Sequence, residues 1–520
     1  IEITGIDKPL PVGAVKGEVL SSIHELASRY ETSNTQVNQL WKNITWSSYG
    51  NFLSIPTDCP QRNERLGWAG DISVFSRTAT YLADVPQFLR RYLRSMRDVQ
   101  RTDGRFPDIA PLGGGFGGLL WGSAGITVPW ECYQQYGDTI LLSEHYDAMK
   151  RYIQYIIDNT IETETNLIVQ TRSWGDLCDW LGLEDEKNDK SLVWEAYFIY
   201  DLELMAKMAT VLGKVTDAEW FRELHAARKD FFNKTYIEPE TGKTLFSAFV
   251  PEKKGSHIDI QTSYVLPLAF NIIDEENRNK VIANLAETVR RENTTDRGQQ
   301  CPSYSLMTGF IGTSWINKAL SDYGHSDLAY RLLQQTSYPS WLYSIEQGAT
   351  TIWERLNSYT RTDGFGGNNR MNSFNHYSFG AVGAWMYNYS LGIQRDETFP
   401  GFKQFVLKPM PDPTGKMTYA RGYYDSMYGR IESGWKVESG VIRYTFTVPA
   451  NTTATLYLPT ASLRDVREKT KPVRKCKGVE FISEGNGEVV LKLLSGSYSF
   501  EVKKDYPLAA RKRKKYVFVR

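Results

Sequence analysis

The stretch PTDCPQRNERLGWAGD, from Pro56 to Asp71, sets Asp58, Glu64 and Asp71 among Arg62, Arg65 and Trp68. Pro56, Pro60 and Gly67 punctuate it, so it reads as loop until about Asp71. Taken alone, such a loop reads first as a surface ion-pair network. A carboxylic acid beside tryptophan in a dry pocket, however, has its pKa raised and can serve as a general acid. A second stretch, EQGATTIWERLNSY, carries Glu346, Trp353 and Glu354 behind small residues that let the backbone approach a ligand closely. NSFNHY follows with Asn375, His376 and Tyr377, and between them TDGFGGNNR has glycines at 364, 366 and 367, the composition of a mobile flap. A lone Trp-Glu pair on a helix is usually core plus surface. Beside the first stretch it makes a paired-carboxylate site for acid–base chemistry.

Aromatic residues add a third cue. Trp121 and Trp130 lie in GGGFGGLLWGSAGITVPW, and Trp174, Asp176 and Trp180 in RSWGDLCDWLG, both punctuated by glycine instead of forming regular stripes. Tryptophan rings stack on the C–H faces of sugars while Asp and Arg bind hydroxyls. Helix packing is the competing reading for each ring taken singly. Of six histidines only His376 has a suggestive context. Five scattered cysteines suggest neither a disulfide framework nor a zinc site, and no metal or cofactor is expected. A net charge of +1 makes no electrostatic case for nucleic acid. No run approaches the roughly 18 apolar residues of a membrane helix.

The elements that must position these residues are mainly helical. A chain of 520 residues suggests two or three domains. Tyr146, Met149, Ile153, Ile156 and Ile157 form one stripe of helical period. Leu204, Met205, Met208, Val211 and Leu212 form another, with Gly213 as its stop. Thr216 and Glu219 read as a capping box for the next helix. Paired helices continue to about residue 392, as an α/α toroid requires. After Pro400, VIRYTFTVPANTTATLYLP and GEVVLKLLSGSYSFEV alternate as strands do. The expected fold is a mainly α (α/α)6 barrel followed by an antiparallel β-sandwich. Residues 1–25 read as the remnant of a preceding β-domain, 26–400 as the barrel, 401–505 as the sandwich and 506–520 as a basic tail. The opening IEITGIDKPL has no initiator Met and no signal pattern, and reads as part of something longer.

PTDCPQRNERLGWAGD closely resembles the signature of the bacterial α-L-rhamnosidases of glycoside hydrolase family 78. VPWECYQQYGD, TGFIGT, LLQQTSYPSWLYSIEQGATTIWE, FNHYSFGAVGAWMY, PGFKQFVLKPMP and YGRIESGW follow in that family's order, so the resemblance spans nearly the whole chain. It implies an (α/α)6 barrel with β-domains before and after, and inverting hydrolysis of terminal α-L-rhamnosyl residues from a rhamnose-containing glycoside. Glu64 matches the general acid and Glu354 the general base. Asp58, Arg62, Trp68 and Asp71 match sugar-holding positions, and His376 the histidine of an Asn-His-Tyr motif. Trp121, Trp130, Trp174, Asp176, Trp180 and Trp353 complete the expected sugar-binding set. Asn63 and Ser123 stand where the family often has Asp, and each removes a negative charge expected near the pocket, as would suit an anionic substrate or an altered subsite. The competing readings are another (α/α)6 enzyme, such as a phosphorylase, and a non-catalytic sugar-binding protein. A periplasmic or extracellular location is slightly favoured over a cytoplasmic one.

Overall fold

A computed structural model describes residues 3–503, apart from 172, 367–371, 439, 469 and 470. Gly367 of the expected flap and the basic tail 506–520 lie outside the described residues. Apolar stripes become helices here because each buries a face against a neighbour, and that packing holds them more than propensity does. In chain order the barrel segments begin with α1 (Thr35–Asn51), α2 (Ala69–Leu82), α3 (Pro86–Asp98), α4 (Ala124–Tyr136), α5 (Thr139–Thr160) and α6 (Lys190–Val211). They continue with α7 (Val215–Tyr236), α8 (Gln261–Ala269), α9 (Glu275–Arg290), α10 (Phe310–Asp322), α11 (Ser326–Leu333) and α12 (378–390). Among the described residues the even-numbered segments close an inner ring, with α12 returning to α2. The odd-numbered segments pack outside them. The result is the expected (α/α)6 barrel.

Inner and outer helices differ as their positions demand. α6 is buried along almost its whole length, so the stripe at residues 204–212 covers only its last turns. α12 is irregular, passing from 3-10 through α to π geometry. The capping-box expectation at Thr216 and Glu219 is corrected. α7 starts at Val215 with Lys214 as its N-cap and no side-chain cap, so Thr216 sits inside the first turn. Gly213, at φ 69°, ends α6 and turns the chain so tightly that the next helix starts before Thr216 can cap it.

The β region is built from β1 (Ser28–Thr32), β2 (Ile393–Arg395), β3 (Gln404–Leu407), β4 (Tyr419–Ser426), β5 (Gly429–Glu438) and β6 (Val441–Val448). Then come β7 (Thr453–Leu458), β8 (Val466–Glu468), β9 (Lys471–Pro472), β10 (Val479–Gly485), β11 (Glu488–Leu493) and β12 (Gly496–Lys503). One sheet runs β1-β4-β5-β6-β12-β8-β9 and the other β10-β11-β7-β3-β2. Neighbours are antiparallel except β3 and β7. β1 precedes the barrel in sequence yet pairs with β4, Tyr30 opposite Gly422. Residues 3–25 are almost wholly exposed and contain one 3-10 turn, Val12–Ala14. An apolar core continuous through both units joins barrel and sheets. Polar clasps reinforce it: Ser28 Oγ donates to Tyr387 Oη at 2.8 Å, and Trp435 Nε1 to the Ser390 carbonyl at 2.8 Å. No helix of the described residues is long and apolar enough to cross a membrane.

Candidate active site

Loops that feed the inner ring converge on one pocket. Asp58, Arg62, Glu64 and Trp68 come from the segment between α1 and α2, and Asp71 from the first turn of α2. Phe116 and Trp121 come from the glycine-rich segment before α4, Leu177 and Trp180 from the connection of α5 to α6, and Phe310 from the start of α10. Glu354 and His376 belong to the long segment before α12. The pocket therefore sits at the N-terminal ends of inner helices, where the helix dipole favours carboxylates such as Asp71. Its void is about 410 Å³, mouth included.

Arg62 organises the charges. Its Nη2 is paired with Glu64 Oε2, its Nη1 lies 3.5 Å from Glu354 Oε2, and Asp58 Oδ2 is 3.8 Å from Nη2. Glu64 Oε1 also accepts from the Trp68 indole at 2.8 Å. Glu354 Oε2 accepts from the Ser373 N–H at 2.9 Å, and its own N–H returns to the Ser373 carbonyl at 2.9 Å. The Trp353–Glu354 pair is thus held by a loop, not a helix, and Trp353 packs edge-on to Phe374, away from the pocket.

Asp58 Oδ1 accepts from the Leu66 N–H at 2.8 Å, which folds the loop over it. Burial pushes its carboxyl up to about 6, against the pull of His376 and the Cys59 thiol. His376 Nε2 meets Asp71 Oδ1 at 2.7 Å, and the Ser378 hydroxyl donates to the same oxygen at 2.7 Å. Burial alone would lower the His376 pKa. The hydrogen bond to Asp71 and the charges of Asp71, Glu354 and Asp58 outweigh it and raise the pKa.

Asp58, Cys59 and Glu64 bring ligand atoms within 4.8 Å of one another. Arg62 already occupies their negative charge, and burial with the Asp58 contact pushes the Cys59 thiol up to about 12. The set is therefore a carboxylate–guanidinium network, poorly suited to a cation. Several buried polar atoms there lack a hydrogen-bond partner: Asp58 Oδ2, Arg62 Nε and Nη1, and His376 Nδ1. A ligand rich in hydroxyls would satisfy them.

The aromatic candidates divide by position. Trp68, Trp121 and Trp180 line the pocket, together with Phe116, Leu177 and Phe310, which sequence reasoning missed because apolar residues have no signature of their own. Phe116 alone had a visible cue, its run of flanking glycines. Trp130 is not at the site: it lies beneath Lys207, whose ammonium is 5.7 Å from the ring centroid. Trp174 stands behind the wall, donating to Asp108 Oδ2 at 3.2 Å with Arg105 over its ring at 5.3 Å. Asp176 is largely exposed and pairs with Lys190 at 3.0 Å. The expectation that Asn63 and Ser123 change the charge of the pocket is also corrected. Asn63 is exposed outside the lining, and Ser123 is buried, donating to Asp201 Oδ2 at 2.5 Å. Burial pushes the Asp201 carboxyl well above the usual range, so serine at 123 spares it a second buried acid.

Trp121 is set by glycine. A Cβ on Gly117 would overlap the indole, and Gly118, at φ 92°, turns the chain into the short helix Leu119–Gly122. Gly117→Ala should therefore displace the ring and lower kcat/KM at least about tenfold with the fold retained, as steady-state kinetics and circular dichroism would report.

Comparison with known proteins follows the same boundaries. A family model described as the bacterial alpha-L-rhamnosidase 6 hairpin glycosidase domain matches residues 25–390, and one for the C-terminal domain of these proteins matches 392–472. An alpha-L-rhamnosidase of Streptomyces avermitilis is 36% identical over 96% of this chain and 44% of its own length. One from Formosa agariphila is 33% identical over 97% of the chain and 52% of its own. The chain thus spans about half the length of these relatives. The crystal structure of the Streptomyces avermitilis protein complexed with L-rhamnose superposes with a TM-score of 0.79 over 92% of this chain and 42% of that one. That of the Aspergillus terreus rhamnosidase, 30% identical, superposes at 0.80 over 95% and 52%. By sequence, fold and domain order, the chain belongs to the bacterial α-L-rhamnosidases of glycoside hydrolase family 78.

Proposed function

We propose that this chain carries the catalytic site of an inverting exo-glycosidase that removes terminal α-L-rhamnosyl residues from rhamnosides. The observation that carries the reading is the pair of glutamates held one on each terminal nitrogen of Arg62, beside buried polar atoms whose hydrogen bonds are unmade. Family membership and the L-rhamnose bound by a relative support the choice of sugar. In this reading Asp58, Arg62, Asp71 and His376 hold the sugar's hydroxyls. Trp121, Trp180, Leu177 and Phe310 supply an apolar wall that rewards the methyl group L-rhamnose carries at C5.

Glu64 is the general acid. It passes its proton to the glycosidic oxygen as the C1–O bond breaks. Glu354 is the general base, taking a proton from a water that attacks C1 on the opposite ring face, so the first product is β-L-rhamnose. Their side chains are 25% and 4% exposed, which suits an acid beside the departing group and a base deep in the pocket. An inverting pair stands about 6.5–9.5 Å apart to admit that water.

Glu64→Gln should lose about 10²–10⁴-fold in kcat on methyl α-L-rhamnoside. It should lose far less on the 4-nitrophenyl rhamnoside, whose leaving group needs little protonation. Kinetics on both substrates, with proton NMR following the first-formed anomer, tests the assignment. Equal losses on the two substrates, or α-L-rhamnose appearing first, would refute it.

A further inference from the structure

Phe116 lines the pocket, yet 54% of it is exposed, so a large apolar ring stands at the mouth of a site whose charges lie within. The loop LGGGFGG presents it from an anchored backbone. Asp108 accepts from the N–H groups of Gly117 at 2.7 Å and Gly118 at 3.3 Å. Gly175 packs so closely on the Phe116 carbonyl that no Cβ could fit there. One exposed ring on open surface would be ordinary, but this one stands at the rim of the charged pocket, where whatever enters must pass it.

Its contacts say which part of a substrate that occupant is. Phe116 meets Trp68 edge-on, centroids 5.4 Å apart and planes at 74°. The Trp68 indole in turn donates to Glu64 at 2.8 Å. Phe116 is thus two contacts from the proposed acid, which is itself the more exposed of the two glutamates. In acid-assisted cleavage the atom next to the acid is the leaving oxygen, so the group attached to it must pass along this side of the mouth.

We infer that Phe116 is the platform of a leaving-group subsite, and that the subsite takes aglycones with a flat aromatic face. This rests on the acid–base reading above and adds to it the class of aglycone. An aromatic leaving group can stack on the free face of Phe116 while its edge engages Trp68. A small aliphatic one makes neither contact.

The test compares phenyl and methyl α-L-rhamnoside in wild type, Phe116→Ala and Phe116→Tyr. The ratio of kcat/KM for phenyl over methyl should fall about three- to tenfold in Phe116→Ala, the range an aromatic pair is worth, and return in Phe116→Tyr. If Phe116 only props Trp68 and hence Glu64, the loss falls harder on methyl rhamnoside, which depends more on the proton, and the ratio rises. A risen or unchanged ratio overturns the platform and leaves the acid–base assignment standing. A wild type that hydrolyses neither rhamnoside overturns the rhamnosidase reading, and the platform with it.

Discussion

Glu354→Gln is expected to lower kcat/KM by about 10²–10⁴-fold on every rhamnoside, whatever its leaving group. Only the loss of a base gives that pattern. Water must lose a proton as it attacks C1, and a better leaving group does not supply a proton acceptor. Glutamine preserves shape, and its carbonyl can still accept from the Ser373 N–H that holds Glu354 at 2.9 Å. Arg62 keeps Glu64 and Asp58 as counter-charges, so the folded state should survive. Azide, a nucleophile that needs no base, should restore turnover in this variant and give β-L-rhamnosyl azide with release of the aglycone. Kinetics with both aryl and alkyl rhamnosides, alongside a thermal melt, decides the matter. Activity within a few-fold of wild type would remove Glu354 from the mechanism. A loss confined to poor leaving groups would make it the acid instead.

Glu131→Gln should cost about 3–5 kcal/mol of stability, the usual consequence of stripping a buried ion pair of one partner. Glu131 is buried on α4 between two guanidiniums. Arg77 of α2 donates to it at 2.7 and 3.1 Å, and Arg395 of β2 lies 2.6 Å away. Arg77 also lies over the Trp315 ring of α10, 5.1 Å from its centroid. The carboxylate therefore ties three barrel helices to the first strand after the barrel, and removing its charge leaves two cations facing each other out of water. Burial alone would raise the Glu131 pKa, but Arg395 and Arg77 overcome this and hold it at about 2. A depressed folded-state pKa adds stability that is fully present above the unfolded value, about 4.3, and is lost as pH falls through about 2. Urea unfolding at a series of pH values should show a wide gap between wild type and variant at pH 7 that narrows across that window. A gap that is small at pH 7, or independent of pH, would show that the cluster contributes little.

The two sites illustrate opposite uses of arginine. At Glu131 the guanidiniums and the carboxylate are mutually saturated and hold elements together. At the pocket Arg62 keeps Nε and Nη1 without hydrogen-bond partners although they are buried. Unsatisfied buried donors cost free energy, and a ligand that bonds them recovers it.

Much of this arrangement is legible in the amino-acid sequence. Helical period in residues 146–157, strand alternation after Pro400 and the charged loop before Asp71 follow from local rules: how often side chains return to one face, and where proline and glycine break a run. The charged site residues fall in short stretches around 58–71 and 354–376, so their types can be read as chemistry. What those stretches do not disclose is direction. Trp121 and Trp130 lie nine residues apart in one glycine-rich segment. Yet one lines the pocket while the other lies under Lys207, because the start of α4 falls between them and sets which way each ring points. Ser123 reads as a change in pocket charge until its burial against Asp201 places it in the barrel wall. β1 joins a sheet whose next strand, β4, lies almost four hundred residues on, a pairing no local pattern encodes. The sequence by itself determined which segments are helix or strand and which residues could do acid–base chemistry, since both depend on near neighbours. Which walls face each other, which rings line the pocket and which carboxylates share Arg62 were decided only by tertiary packing, where residues hundreds of positions apart come within hydrogen-bonding reach.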